Sequence, residues 1–260
     1  MYMVVRCTRE KAGKFTESDH EVVLEVPLTI TVNGRHALTV MTSPVMVREL
    51  VIGLLYTERI IHEPNEIESI QIEPDRVSVL TKNPFKILIS KKTVLSGCGG
   101  SSSFLDVAKL PKITSDLVID VADIRAAMKK ALQSDLHEKT GGVHIVGLFT
   151  PGEVVCIAED IGRHNALDRV IGYGLLNNVS FSGTFAVSSG RVSSEMARKC
   201  LIAGIPVIIS RSATTSLAVQ MAEKTGLAII GFARSDQMNI YTHPERVRGG
   251  AIQGIDDIKR

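Results

Sequence analysis

The second half of the chain alternates short apolar runs with segments of helical periodicity, and this alternation limits the fold more than any other feature. Apolar runs of strand length occur at residues 143–149, 154–158, 184–188, 206–210 and 227–232. The turn at 150–153 joins the first two runs as a hairpin, whereas helical segments long enough for parallel crossovers separate the later ones. A further helix is predicted over residues 121–136. The sequence therefore predicts an α/β protein with a mixed sheet and helices on both faces.

The first third of the chain is richer in strands than in helices. Strands are predicted at residues 20–26, 28–32, 36–41, 67–72 and 77–80. Asn33-Gly34 is a strong hairpin signal. A helix is predicted over residues 44–57, with Ser43 as N-cap and Pro44 at its first position. We therefore expect a β-rich region over residues 1–115, which includes Cys98, and an α/β domain over residues 116–260.

The charge balance gives no sign of an anionic macromolecular partner. The net charge is +2, from 30 basic and 28 acidic residues, so no overall field would attract nucleic acid or an anionic membrane. The first residues lack the charged-then-apolar order of a signal peptide, and no apolar run approaches the roughly 20 residues that span a bilayer. We expect a cytoplasmic protein that binds neither nucleic acid nor membranes.

The cysteines have to be judged one at a time, because no C-x-x-C pair occurs and a zinc ribbon or a disulfide framework is therefore not indicated. Cys7, Cys156 and Cys200 lie in apolar strand or helix contexts, where a thiol usually behaves as a small hydrophobic group. Cys98 differs because it lies in the Gly/Ser run of residues 96–103, which has no core pattern. It is the candidate reactive thiol.

Residues 159–169 hold 7 ionisable or amide side chains in 11 positions, directly after a predicted strand. Open α/β sheets bind their ligands at the carboxyl ends of strands. His164 and Asp168 are four residues apart, so on a helix they share a face and the carboxylate can orient the imidazole. The alternative interpretation is a capped helix with surface ion pairs.

Two other strand ends carry arginine among hydroxyl groups, a composition that suits a phosphate or pyrophosphate ligand. The alternative is that the hydroxyls only cap the following helices. Polar clusters also occur at 140–144, with His144, and at 234–239, with Asn239. The candidates at the two hydroxyl-rich strand ends are Ser189, Gly190, Arg191, Ser210, Arg211, Ser212 and Thr214.

Several segments together resemble the family of the formate dehydrogenase accessory protein FdhD. They are residues 53–61, 140–144, 159–168, 189–191 and 239–243, in the same order and at compatible spacing. The resemblance implies a cytidine-deaminase-like, three-layer α/β/α fold and a homodimer. It also implies a sulfurtransferase that takes persulfide sulfur from a cysteine desulfurase to the bis-molybdopterin guanine dinucleotide cofactor of formate dehydrogenase or a related molybdenum or tungsten enzyme.

In this interpretation Cys98 is the persulfide carrier, and no metal or permanently bound cofactor is expected. The dinucleotide is a bound substrate that a GDP-like nucleotide would partly mimic. Its phosphates would be bound by Arg163, Arg191, Arg211 and the neighbouring hydroxyls. His164 and Asp168 would orient or protonate the bound substrate. The remaining predicted cofactor-binding residues are His144, Asn165, Ser189, Gly190, Ser210, Ser212, Thr214 and Asn239.

The sequence departs from the family at the sulfur-carrying loop, where members typically have a C-x-x-C pair. If Cys98 is the first cysteine of that pair, Ser101 takes the second place; if it is the second, Leu95 takes the first. One thiolate can still carry a persulfide. Two alternatives remain: a cofactor-binding chaperone that transfers no sulfur, and a zinc deaminase, for which only His243-Pro244-Glu245 fits part of the ligand pattern.

Overall fold

The computed structural model describes residues 1–83 and 109–249. The first region contains a two-stranded hairpin and then a four-stranded sheet of order β4-β3-β6-β5. The strands are β1 Tyr2–Lys11, β2 Lys14–Val23, β3 Val26–Val32, β4 Arg35–Thr42, β5 Ile67–Ile72 and β6 Arg76–Thr81. The predicted turn at Asn33-Gly34 is confirmed, since both residues have the positive φ angles, 52° and 75°, that a tight hairpin turn requires.

Helix α1, Val47–Thr57, packs its apolar side chains on this four-stranded sheet. The prediction that the helix begins at Pro44 with Ser43 as its cap is wrong. Its N-cap is Met46, in the left-handed conformation and with no side-chain cap. Ser43 lies outside the helix, because its backbone N–H donates to Asp160 and its carbonyl oxygen accepts from Arg169.

The second sheet has six strands in the order β13-β12-β11-β10-β8-β9. The three central neighbours β10, β11 and β12 are parallel, whereas β8, β9 and β13 join through antiparallel pairs. The predicted mixed sheet is therefore confirmed. The strands are β8 His144–Thr150, β9 Glu153–Asp160, β10 Phe185–Ser188, β11 Val207–Ser210, β12 Ala228–Gly231 and β13 Asn239–Ile240.

Helices cover both faces of the six-stranded sheet, as predicted. One face packs on α2, Val121–Ala131. The other packs on α4 Arg163–Leu176, α5 Ser194–Ala203 and α6 Ser216–Thr225. The single helix predicted over residues 121–136 is wrong, because the chain breaks into α2 and α3, Asp135–Thr140. The hydroxyl of Ser134 caps α3 by accepting from the backbone N–H of His137 at 2.8 Å.

Helices α1 and α4 cross at two glycines, which brings the two sheets together. A methyl group on Gly53 would overlap with the carbonyl oxygen of Asp168, and one on Gly172 with the carbonyl oxygen of Glu49. Only glycine therefore allows this backbone contact. Short strands β7 Ile119–Asp120 and β14 Val247–Arg248 pair in parallel. None of the helices in the described part of the chain is long and apolar enough to cross a membrane. The domain boundary at residue 115 stays a prediction.

Candidate functional site

The predicted polar clusters meet at one edge of the six-stranded sheet. Strands β9, β10, β11 and β12 end there, while the antiparallel strands β8 and β13 begin there. The fold therefore brings the polar clusters at 140–144, 159–169 and 234–239 and the two hydroxyl-rich strand ends to a single edge. Open α/β sheets bind their ligands at this position. The residues that mark this edge are His144, Asp160, Ser188, Ser210, Gly231 and Asn239.

His144, Arg163 and Gly190 form the tightest group at this edge. A methyl group on Gly190 would lie 3.0 Å from both His144 Nδ1 and Arg163 Cδ, so any larger residue would have to displace these two side chains by a few tenths of an ångström. Ser189 Oγ accepts from the N–H of Ile145 at 2.9 Å and lies 3.5 Å from His144 Nδ1. Arg163 Nε is buried and, among the described residues, has no hydrogen-bond partner. This group therefore holds an unused cationic donor.

The two histidines of the edge are neutral at physiological pH. Burial, reinforced by the charge of Arg163, lowers the pKa of His164 to about 3. Burial and the same arginine also lower the pKa of His144. His164 Nε2 lies 3.2 Å from Ser193 Oγ and 3.7 Å from a carboxylate oxygen of Glu195. The positive charge of this part of the edge thus comes from arginine, and the imidazoles can act as neutral hydrogen-bonding groups.

We expect His164 to make folding stability depend on pH. Its folded pKa of about 3 lies below the ordinary value of 6.5, so the unfolded chain binds the proton first. The free energy of unfolding should therefore fall as the pH drops from 6.5 towards 3. Urea unfolding of wild type and His164→Asn at a series of pH values measures this, and the variant should show a shallower decline. Parallel pH profiles of the two proteins would contradict this expectation. So would an NMR spectrum that shows the His164 imidazole protonated near neutral pH.

The predicted pairing of His164 with Asp168 is not formed. Asp168 is fully buried, and its two carboxylate oxygens accept from Lys199 Nζ at 2.9 and 2.8 Å and from Thr57 Oγ1 at 2.8 Å. Asp168 points towards α1 and α5 because the buried ammonium group of Lys199 needs a counter-charge there. It therefore joins helices and is not oriented towards the imidazole.

Asp160 and Arg169 form a second buried ion pair, which the sequence did not single out. Arg169 Nη1 lies 2.7 Å from Asp160 Oδ2, and neither side chain is exposed. Asp160 also accepts from Thr42 Oγ1 at 2.6 Å and from the N–H of Ser43 at 3.0 Å. Asn165 donates to Asp160 Oδ1 at 2.9 Å and to the carbonyl oxygen of Met41 at 2.8 Å. Much of the polar block therefore fastens β4 to the second sheet.

The hydroxyl groups after β10 and β11 are largely used within the loops. Ser210 Oγ donates to the carbonyl oxygen of Gly190 at 2.7 Å and accepts from the N–H of Ser212 at 2.9 Å. Thr214 Oγ1 donates to the carbonyl oxygen of Val192 at 3.2 Å. The alternative that hydroxyls at these strand ends cap the following helices is confirmed for Ser193, which caps α5, and Thr215, which caps α6. The side chains of Arg191 and Arg211 remain exposed.

A cavity of about 450 Å³ lies between α2 and the loops that follow β11 and β12. Among the residues that the structure describes, it is lined by four cationic side chains and no carboxylate, together with apolar groups from Met128, Leu132 and Ala233. The cations are Arg125 and Lys129 of α2, and Arg211 and Arg234 of the loops. The α2 pair was not predicted from the sequence, although residues four apart share a helix face. This cationic cavity can hold a ligand that has negative charges and an apolar part.

The cysteines differ in their accessibility. Burial raises the pKa of the Cys156 and Cys200 thiols to about 12 each, which makes both inert, as predicted. Cys7 was also predicted to be a small core hydrophobe, but it is exposed on β1. Cys98 lies outside the described residues.

His243 and Glu245, the partial zinc pattern, are occupied by other contacts. His243 Nδ1 lies 2.9 Å from a carboxylate oxygen of Glu245, and Nε2 lies 3.1 Å from the carbonyl oxygen of Ala222. Across residues 1–83 and 109–249, no group of three or more His, Cys, Asp or Glu could hold a metal ion. The geometry gives no support to the zinc deaminase alternative.

Fold and site together define a mixed α/β protein whose sheet edge lies beside a cavity lined by cationic side chains. The chain matches the FdhD/NarQ family over residues 23–248 and belongs to that family. It is 37% identical over 249 residues to the sulfur carrier protein FdhD of Geobacillus kaustophilus (strain HTA426), covering 90% of this chain and 93% of the relative. It is also 37% identical to the protein of that name from Thermoplasma acidophilum, covering 90% and 89% of the two chains.

A solved structure agrees with the family assignment. The crystal structure of a formate dehydrogenase accessory protein from Desulfotalea psychrophila matches with a TM-score of 0.81 and 29% sequence identity. The match covers 95% of this chain and 99% of the other. The predicted family resemblance and the α/β class are therefore confirmed.

Proposed function

We propose that this protein is a sulfur carrier in the maturation of formate dehydrogenase. The cysteine thiolate of Cys98 attacks the terminal sulfur of a persulfide on a cysteine desulfurase. A new S–S bond forms on Cys98, and the desulfurase cysteine leaves as a thiolate. The terminal sulfur is then transferred to a bis-molybdopterin guanine dinucleotide cofactor bound at the sheet edge: the S–S bond of the persulfide breaks, Cys98 leaves as a thiolate, and two electrons from a thiol reductant bring the sulfur to the sulfide level. The names of the relatives and of the solved structure support the sulfur-carrier role and the link to formate dehydrogenase.

The cationic cavity is the observation that carries the cofactor part of the proposal. A pterin dinucleotide has pyrophosphate groups and flat heterocycles, so its site needs cationic donors beside apolar surface. The cavity offers both, because Arg211 and Arg234 come from the strand ends and Arg125 and Lys129 from the helix across them. Arginine suits phosphate oxygens because its planar fork donates two parallel hydrogen bonds.

The group at His144, Arg163 and Gly190 would serve a second part of the same ligand. Its buried Arg163 Nε is available for an anionic oxygen or sulfur, and the neutral imidazoles can donate or accept without adding charge. The other predicted binding residues, Arg191, Ser212 and Asn239 among them, stay predictions. So do the homodimer and the cytoplasmic location.

Nucleotide binding tests this assignment. Titration of the purified protein with GDP, followed by calorimetry, should show binding that the double variant Arg211→Ala/Arg234→Ala weakens by a factor of about ten or more, because each lost charge-assisted hydrogen bond is worth roughly 1.5–3 kcal/mol. Neutral guanosine should bind more weakly than GDP. Arg76→Ala, which removes an exposed arginine on β6, is the matched control and should bind as wild type does. Equal GDP affinity in the double variant and the wild type would place the nucleotide elsewhere.

A cofactor chaperone without sulfur transfer is the second candidate, favoured by the single cysteine in the carrier region. Such a chaperone would bind the same cofactor at the same edge, but its Cys98 would carry no sulfur. Mass spectrometry after incubation with a desulfurase and cysteine separates the two functions. An added 32 Da on Cys98, the mass of one sulfur atom, supports the carrier.

A further inference from the structure

Arg163 is a half-buried cation whose counter-charge is not supplied by the residues that the structure describes. Its Nε is buried and has no hydrogen-bond partner among them, and none of their carboxylates forms an ion pair with it. Other cations of the same helices do have such partners: Arg169 pairs with Asp160, Arg198 with Glu58 and Lys199 with Asp168. Because a charge away from water needs compensation, we expect a ligand to supply the counter-charge of Arg163.

The surroundings of Arg163 limit the charge that this ligand can carry. His144 and His164 add no positive charge, since burial, and after it the charge of Arg163, lowers the pKa of each ring. The carboxylate of Glu195 approaches His164 and is half exposed. The group therefore offers one positive charge, which a monovalent anion would compensate. A divalent phosphate would bring an uncompensated charge into a half-buried position, and the four cations of the cavity suit it better.

Gly190 leaves space for a ligand beside His144 and Arg163. Its φ angle is not in the left-handed region, so the backbone conformation by itself does not require glycine. Its position is fixed, because its N–H donates to Ser188 Oγ at 3.1 Å and its carbonyl oxygen accepts from Ser210 Oγ at 2.7 Å. Ser210 directly precedes the loop that lines the cationic cavity. The space at Gly190 and the cavity are therefore neighbours on the sheet edge.

We propose that Arg163, His144 and Gly190 bind the terminal sulfur of the Cys98 persulfide while this sulfur passes to the cofactor. The inference rests on the proposed function, because that function brings a persulfide to the sheet edge. A persulfide anion is monovalent, and its large sulfur atom is hydrated less strongly than an oxyanion, so burial costs it less. The cavity would hold the phosphates of the cofactor and this group the incoming sulfur. No bond forms or breaks in the binding step itself.

Thiocyanate, a monovalent anion with a terminal sulfur, tests the anion site without a persulfide or a cofactor. NMR titration should show a saturable shift of the His144 ring signals in the wild type. Arg163→Gln should weaken the binding by about tenfold or more, because it removes a charge-assisted hydrogen bond. Gly190→Ala should also weaken it while keeping the charge. Arg198→Gln is the matched control, since that half-buried arginine already donates to a backbone carbonyl and to Glu58.

A single round of formate dehydrogenase activation by the persulfide-loaded protein tests the role of the site. Arg163→Gln should accept sulfur on Cys98 and bind GDP as the wild type does, but activate the enzyme about tenfold more slowly or worse, because the lost hydrogen bond is made only to the sulfur. Gly190→Ala repeats the test with the arginine in place. The Arg198→Gln control should activate at the wild-type rate.

Three outcomes would overturn the inference: thiocyanate shifts that are the same in the wild type and Arg163→Gln, unchanged activation by both site variants, or weaker GDP binding by Arg163→Gln. The last result would assign Arg163 to the phosphates. A wild-type protein that takes no sulfur onto Cys98 would refute the proposed function instead. The thiocyanate titration would still decide whether the anion site exists, so the two failures are distinguishable.

Discussion

Replacement of Cys98 by alanine is expected to abolish the activation of formate dehydrogenase in cells that lack the native protein. Only a thiolate can accept the terminal sulfur of a persulfide, and the two buried cysteines are poorly suited to that step. Cys156 and Cys200 are buried, and the pKa of each is raised to about 12, so neither forms a thiolate at physiological pH. Activity should fall to the level of cells without the gene.

Cys7 is the matched control, because it is the exposed cysteine in the described part of the chain. It lies on the hairpin, before the start of the family match. Cys7→Ala should therefore retain activation and sulfur loading. Full activation by Cys98→Ala would refute the carrier role and leave the cofactor chaperone as the better account. Loss of activity in Cys7→Ala instead would move the sulfur chemistry to the hairpin.

Replacement of Arg169 by methionine should destabilise the protein by about 3–5 kcal/mol, the usual cost of leaving one member of a buried ion pair uncompensated. Arg169 and Asp160 are both fully buried, and the remaining donors to Asp160 are neutral hydroxyl, amide and backbone groups. The change keeps most of the volume but removes the counter-charge. Urea unfolding at neutral pH measures the loss.

Arg248 provides a control of the same chemistry on the surface. Its guanidinium lies 2.7 Å from a carboxylate oxygen of Asp120, and the two side chains are 71% and 44% exposed. Arg248→Met should therefore destabilise the protein far less than Arg169→Met does, because solvent screens an exposed ion pair. Adding Asp160→Asn to Arg169→Met should recover part of the lost stability, because it removes the uncompensated carboxylate charge. Similar losses in the two single variants would show that the buried pair contributes little more than a surface pair.

The sequence predicted the sheet edge correctly because strand ends and polar clusters are local features. An apolar run followed by Ser-Ser-Gly-Arg or Ser-Arg-Ser marks such an end without knowledge of the rest of the fold. The topology then brings these ends together, as it does for His144 and Gly190. The spacing of the apolar residues was likewise sufficient to predict the α/β class.

The errors arise where long-range contacts decide the local structure. Nothing near Ser43 in the sequence shows that Asp160 and Arg169, more than a hundred residues away, bind its backbone and shift the start of α1. Asp168 was assigned to the nearest histidine on its helix, but a buried lysine on another helix outcompetes that partner. The hairpin of β1 was missed because, exposed on both faces, it has no core-facing alternation to detect.

The crossing of α1 and α4 has a mechanical consequence. Two backbones in direct contact at Gly53 and Gly172 cannot slide or roll without steric overlap, and the ion pairs of Asp160 and Asp168 fix the same joint on either side. Bending there would expose or separate buried charges, which is costly. The two sheets should therefore behave as one block during the working cycle. Any travel of sulfur between a donor and the cofactor would have to come from parts of the chain outside this joint, or from the partner proteins themselves.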